Sequence, residues 1–241
     1  MAAVSAGRQP RGIMFIGHFA LGLAAKRAAP TISLGMLFLA AQLADLVWPH
    51  LVILGIERLE VDPGNTAFTP LNFVFYPYSH SLVAMTGWAV VAGALYALVR
   101  RATAGRALVV LLVVVSHWVL DVVAHRPDMP LTIGGNTRLG LGLWDSVPGT
   151  LVVEALMLVA GVVLYLDATR ARDRVGSVGF WSLIGALVVI TLANLAGPPP
   201  PSAMAVAWTA HAMWLLVAWG FWVDRHRAAA SDAPAGHRGR L

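Results

Sequence analysis

Apolar residues fall along this chain in long runs broken by short polar stretches. Crossing a bilayer core of about 30 Å takes about 20 apolar residues of helix. Six segments meet that length: residues 31–56, 79–99, 107–125, 147–167, 178–196 and 204–223. An earlier run, IMFIGHFALGLAA at 13–25, has only 13 residues and would rise about 20 Å as a helix. It is expected to be re-entrant, interfacial or a short seventh span. Arg8 and Arg11 before it give it the look of a signal peptide, but Lys26 and Arg27 stand where cleavage needs small neutral residues. The pattern predicts an all-α polytopic transmembrane helical bundle, six full spans plus the short N-terminal helix, forming one domain over residues 1–223. Residues 224–241, DRHRAAASDAPAGHRGRL, are expected to be a disordered basic tail in which His226 and His237 are solvated.

Composition places the chain in the same class. Hydrophobic residues make up 58% and charged residues 12%, with a mean hydropathy of +0.72, outside the range of soluble globular domains. There is no cysteine, which excludes disulfides, iron–sulfur clusters and thiolate zinc sites, so a metal would have to be held by imidazole and carboxylate.

The net charge of +5 reads as topology and not as nucleic-acid binding, because the basic residues cluster between apolar runs. If six helices alternate from residue 31, Lys26, Arg27, Arg100, Arg101, Arg106, Arg170, Arg172, Arg174, Arg225, Arg227, Arg238 and Arg240 share one side, and only Arg58, Arg126 and Arg138 take the other. The positive-inside rule then makes the C-terminus cytoplasmic in a bacterial inner membrane, with the loops 57–78, 126–146 and 197–203 outside.

With that orientation the ionisable residues inside the apolar runs gather toward the outer leaflet. Asp45 and His50 end the first full span, His80 opens the second, and His117, Asp121 and His125 occupy the outer half of the third. Glu154 and His211 lie at similar depth in the fourth and last spans. A carboxylate at the centre of a membrane helix costs on the order of 3 kcal/mol. A divalent cation offsets that cost by taking deprotonated carboxylates and neutral imidazoles as ligands. Residues four apart differ by about 40° around a helix, so His117, Asp121 and His125 form one stripe. His117 and His125 are about 12 Å apart along the axis, too far for one ion. Either two metals are present, or His125 stands behind the ligands or faces substrate. Taken singly, such residues are as well explained by hydrogen bonds that lock helices together. His211 is assigned to that role, and His50 beside Pro49 fits either.

Four short motifs carry a resemblance: Gly17-His18, LADLVWPH at 43–50, SHS at 79–81 and SHWVLD at 116–121. In this order, over roughly residues 13–131, they resemble the bacterial predicted membrane-bound metal-dependent hydrolases. LADLVWPH departs from that family in having Ala44 before the first Asp, no second Asp, and His50 two residues late. YPY replaces the basic residues before the serine-histidine pair. The resemblance implies His18, Asp45, His80, His117 and Asp121 as metal ligands, and a hydrolase.

The expected protein is therefore an integral membrane hydrolase using a divalent metal, zinc first, with manganese or iron also suited to mixed nitrogen and oxygen donors. The bilayer would be its partner and a lipid or lipid-linked ester or phosphoester its substrate. Glu154, or a carboxylate not fully used in ligation, would act as general base, and Ser79 or Ser81 would orient the attacked group. Arg126 and Arg138 are the cations available to a phosphate. Readings from other classes are a metal-ion or proton transporter, haem ligation by paired histidines, and a non-catalytic membrane protein with a structural polar core.

Overall fold

The structure, a computed structural model, describes residues 16–232. Arg8, Arg11, the start of the short apolar run, His237, Arg238 and Arg240 lie outside the described residues. The elements in order are α1 (Ile16–Ala28), α2 (Leu34–Ala41), α3 (Leu43–Ile53), β1 (Arg58–Val61), β2 (Leu71–Phe75), α4 (Pro77–His80), α5 (Leu82–Arg100), α6 (Ala104–Ala124), β3 (Met129–Pro130), β4 (Arg138–Leu139), α7 (Val147–Ala168), β5 (Thr169–Ala171), α8 (Arg174–Ala196), α9 (Ala203–Ala210), α10 (Met213–Arg225) and β6 (Arg227–Ala229). Local chemistry sets many helix starts. Ser33, Ser81, Ser146, Asp173 and Ser202 each accept a hydrogen bond from the amide three residues on, satisfying a donor the helix leaves unpaired.

The helices α5, α6, α7, α8 and the α9–α10 run are long and apolar enough to cross a membrane. Their outward faces carry strongly exposed side chains such as Leu98, Val99, Leu156 and Leu215, a surface suited to hydrocarbon and not to water.

Three expectations are corrected. The segment 31–56 is not one straight span: α2 and α3 meet at Gln42 with a bend of 52°. The candidate spans number five, or six if that bent pair is one crossing. The bundle is not purely helical either, because β1–β2, β3–β4 and β5–β6 form three short antiparallel ladders. Nor does the ordered chain stop at residue 223. Helix α10 runs on to Arg225, and β6 pairs with β5. His226 is not a solvated bystander: its Nδ1 lies 2.8 Å from an Asp173 carboxylate oxygen.

Helix α1 has only protein neighbours along most of its length. It packs chiefly against α7 and also touches α2, α6 and α8. A Cβ on Gly161 of α7 would collide with the Ala20 backbone, so the glycine is what lets these two backbones touch. Together with the Arg27–Asp167 ion pair, this contact shows α1 and α7 running parallel. Gly35 and Gly220 permit a similarly close crossing of α2 and α10.

One end of the bundle is rich in basic residues. There Lys26 Nζ contacts Asp224 Oδ1 at 2.8 Å and the Ile32 carbonyl at 2.6 Å. Arg227, also buried, binds Thr169 Oγ1 and lies 5.2 Å from the ring centroids of Tyr165 and Phe180. The opposite end carries the β1–β2 hairpin, α4 and β3–β4. Gly55, at φ +70, makes the left-handed turn that leads the chain out of α3 toward the hairpin.

Candidate metal centre

Five side chains from four helices converge at the hairpin end. His18 comes from the first turn of α1, Asp45 from the first turn of α3, His80 from α4, and His117 with Asp121 from adjacent turns of α6. His18 Nε2 and His117 Nε2 each lie 3.2 Å from an oxygen of Asp121, His18 from Oδ1 and His117 from Oδ2. His80 Nε2 is 3.5 Å from Asp45 Oδ1 and 3.7 Å from Asp121 Oδ2, and His117 Nε2 is 3.8 Å from Asp45 Oδ1. Their donor atoms form two overlapping groups, His18–Asp45–His117 and His80–His117–Asp121, each within 4.8 Å.

The residues fit a cation. Bonds of about 2.0–2.2 Å place neighbouring ligands about 3.0–3.5 Å apart, close to the separations observed. The contacts of His18 Nε2 and His117 Nε2 with Asp121 are short yet lack the alignment of hydrogen bonds. Such geometry suits donors aimed at a shared point better than donors aimed at acceptors. His117 Nδ1 bonds the Ala41 carbonyl at 2.7 Å; a carbonyl only accepts, so Nδ1 carries a proton, and in the neutral ring the Nε2 lone pair faces the cluster. The two groups share His117 and so overlap at one place.

The supports behind the donors are equally specific. The bend at Gln42 leaves the Ala41 carbonyl outside a continuous helix, where His117 uses it. Ser79 Oγ donates to Glu57 Oε2 at 2.7 Å and stands 2.7 Å from His80 Nδ1. His80 Nδ1–H therefore donates to the serine, and its Nε2 turns to the cluster. Glu57 Oε1 also accepts the amides of Tyr78 and Ser79, both at 2.9 Å, which pins the start of α4. Trp48 Nε1 donates to Asp45 Oδ1 at 3.0 Å. Carboxylate or carbonyl partners behind ligating histidines fix tautomer and ring orientation.

The remaining sequence candidates sit elsewhere. His125 does not join the cluster, because α6 ends at Ala124 and His125 is its extended cap, φ −69 and ψ 150. Its Nδ1 donates to Asp128 Oδ1 at 2.9 Å and its ring rests on Trp144, centroids 4.2 Å apart. Burial of Asp128 works against its charge, but the hydrogen bonds from His125, Arg126 and Tyr76 prevail and hold its carboxyl below the usual range. Tyr76 is pushed well above its ordinary value by burial and by Asp128. Ser79 is held by Glu57 and His80, which makes it a positioning residue. Ser81 caps α5.

Glu154 is buried on the α7 stripe that also holds Leu158, Gly161 and Tyr165; it lies outside both donor groups. Arg126 is engaged by Asp128 and Asn72. Two buried polar residues escaped the sequence reading. Glu57 lies in a loop whose acidity reads as solvated, and Gln42, whose amide finds no hydrogen-bond partner among the described residues, carries no motif. Asp45 is the cluster's most open member, its side chain 20% exposed against 6% or less for the donors around it.

Comparisons with protein families, with curated proteins and with solved structures find no match for this chain.

Proposed function

We propose that this protein is a membrane-embedded, metal-dependent hydrolase of the kind its motifs resemble, sited in a bacterial inner membrane with its C-terminus cytoplasmic and the cluster toward the outer leaflet. In this reading α2–α3 is one broken crossing and α1 a short helix enclosed within the bundle. The observation that supports it most is the convergence of three imidazoles and two carboxylates, with Nδ1 of His117 and of His80 tied on the far side so that each Nε2 faces the carboxylates. His18, His80, His117 and Asp121 would hold the ion, zinc before manganese or iron, with Asp45 as the remaining and most accessible donor. A bound ion of this type supplies a Lewis acid and a water acidified toward neutral pH.

The chain's own residues would do the rest. Glu57, through Ser79, holds the His80 ring in register, and Ala41 does the same for His117. Asp45 lies at the open side, where a carboxylate not fully engaged can accept a proton from an incoming water or substrate hydroxyl. Glu154, on α7, lies outside both donor groups, and this reading gives the basic role to Asp45 first. Entry at the hairpin end suits an amphiphile whose polar group lies at headgroup depth, a lipid-linked ester or phosphoester.

Metal analysis of tag-free protein tests the assignment. Wild type should carry about one tightly held ion per chain and Asp121→Ala none; an Asp121→Ala protein retaining wild-type metal overturns it. Turnover of lipid phosphoesters that is lost on chelation and restored by zinc tests the chemistry. The broken α2–α3 span favours one other reading, a metal transporter, since discontinuous helices line transporter sites. Zinc flux into proteoliposomes without ester turnover would select it.

A further inference from the structure

A second pair of imidazoles stands apart from the cluster. His50, at the last turn of α3, and His211, at the break between α9 and α10, bring their Nε2 atoms to 3.3 Å. Each ring is tied by its other nitrogen to its own helix: His50 Nδ1 lies 2.9 Å from the Leu46 carbonyl and His211 Nδ1 2.8 Å from the Ala207 carbonyl. Carbonyls only accept, so both Nδ1 atoms carry a hydrogen, and in the neutral rings both Nε2 atoms present lone pairs. Two lone pairs at this distance repel unless a proton or a metal ion lies between them. The ring centroids are 4.5 Å apart at an interplanar angle of 61°, closer than rings meeting nose to nose at that nitrogen separation. A bent hydrogen bond within a protonated pair also fits this contact, and the response to metal separates the two.

The nitrogen separation matches two neighbouring ligands of one ion with bonds of about 2.0–2.1 Å, whose edge is about 3.0–3.4 Å. Among the described residues, neither ring lies within 4.0 Å of a carboxylate, so the protein donors are nitrogen alone. An all-imidazole donor set selects copper, nickel or zinc over magnesium and calcium. His50 is exposed and His211 half-buried, which leaves room for water to complete the coordination.

We propose that His50 and His211 form a second cation site, specific for imidazole-preferring divalent transition ions, that staples α3 to the break between α9 and α10. It stands independently of the hydrolase reading. Its effect on the cluster would be mechanical, since α3 also carries Asp45. The carbonyl-locked rings need little reordering to bind, which favours chelation by only two protein ligands.

The test uses full-length, tag-free protein in detergent, stripped with chelator and titrated with Cu(II), in the Asp121→Ala background, where the three remaining cluster imidazoles are common to every variant and the pair is read by difference. The expected result is one Cu(II) equivalent whose electron paramagnetic resonance spectrum shows coupling to two imidazole nitrogens, lost in both His50→Gln and His211→Gln. Ni(II) should raise the thermal midpoint of Asp121→Ala more than that of either glutamine variant in the same background. In the otherwise wild-type chain the glutamine variants should keep the cluster's zinc, which shows that they fold. Equal Cu(II) stoichiometry with and without the pair, or a spectrum with one nitrogen ligand, overturns the proposal. So does a pair that responds to pH alone and not to metal.

Discussion

The bundle buries polar groups in two places, and the two are built on different principles. At the basic end, Lys26 meets Asp224 and a carbonyl, and Arg227 meets Thr169 and two aromatic faces. The Lys26 charge is matched by Asp224, and the Arg227 guanidinium is held by Thr169, the Gly176 carbonyl and two aromatic faces, all within the protein. At the hairpin end, three imidazoles face two carboxylates at 3.2–3.8 Å, the two shortest contacts lack hydrogen-bond alignment, and Glu57 through Ser79, and Ala41, hold the far sides of the His80 and His117 rings. A buried polar layer complete in itself is structural. One whose supports are complete and whose centre is not is arranged for a ligand.

The sharpest way to break this contrast is Asp121→Ala, which removes the carboxylate that touches three imidazoles. The expected outcome is loss of the cluster's tightly held ion, read by elemental analysis after mild chelation has emptied the His50–His211 pair. The next largest effect belongs to the other end. Lys26→Met leaves Asp224 without its partner and should cost about 3 kcal/mol, the low end of the range for broken buried pairs because Asp224 keeps some exposure. Denaturation in detergent would show the loss, and adding Asp224→Leu should restore most of it. Metal content should not change, since this layer is independent of the cluster.

Ser79→Ala sharpens the role of the supports. It should weaken metal affinity about 10- to 100-fold while the ion still binds, a result that competition with a graded set of chelators resolves. The smallest effect concerns pH. Asp128 is held below its ordinary 3.8 by His125, Arg126 and Tyr76, so its contribution to stability is present above that value and is lost as pH falls through the lower, folded one. Asp128→Asn should remove this part of the acid-side loss, visible as a flatter stability profile below about pH 4.

Much of the architecture could be read from the order of residues, because hydropathy is a local property and a span declares itself by length. His117 and Asp121 were legible for the same reason, as a single helical turn places them together. His125 shares their spacing but not their helix. Pro127 disfavours helical backbone in the residue before it, and α6 stops at Ala124, so the stripe loses its third member. The bend at Gln42 has neither proline nor glycine at its vertex to announce it. Glu57 and Ser79 are 22 residues apart and meet only because Gly55 and the hairpin turn the chain back, and the His50–His211 contact joins residues 161 apart. Such pairings depend on how the spans are arranged side by side, and a single sequence does not state that arrangement.

Helix α1 offers a last consequence, for assembly. It is the first helix among the described residues, yet its chief neighbour, α7, begins at Val147, more than a hundred residues later. Contacts so remote in sequence form slowly, because a long loop must close before they repay its entropy. His18 therefore reaches its place beside Asp121 only late, and the donor set is completed by tertiary docking, not by the folding of any one helix.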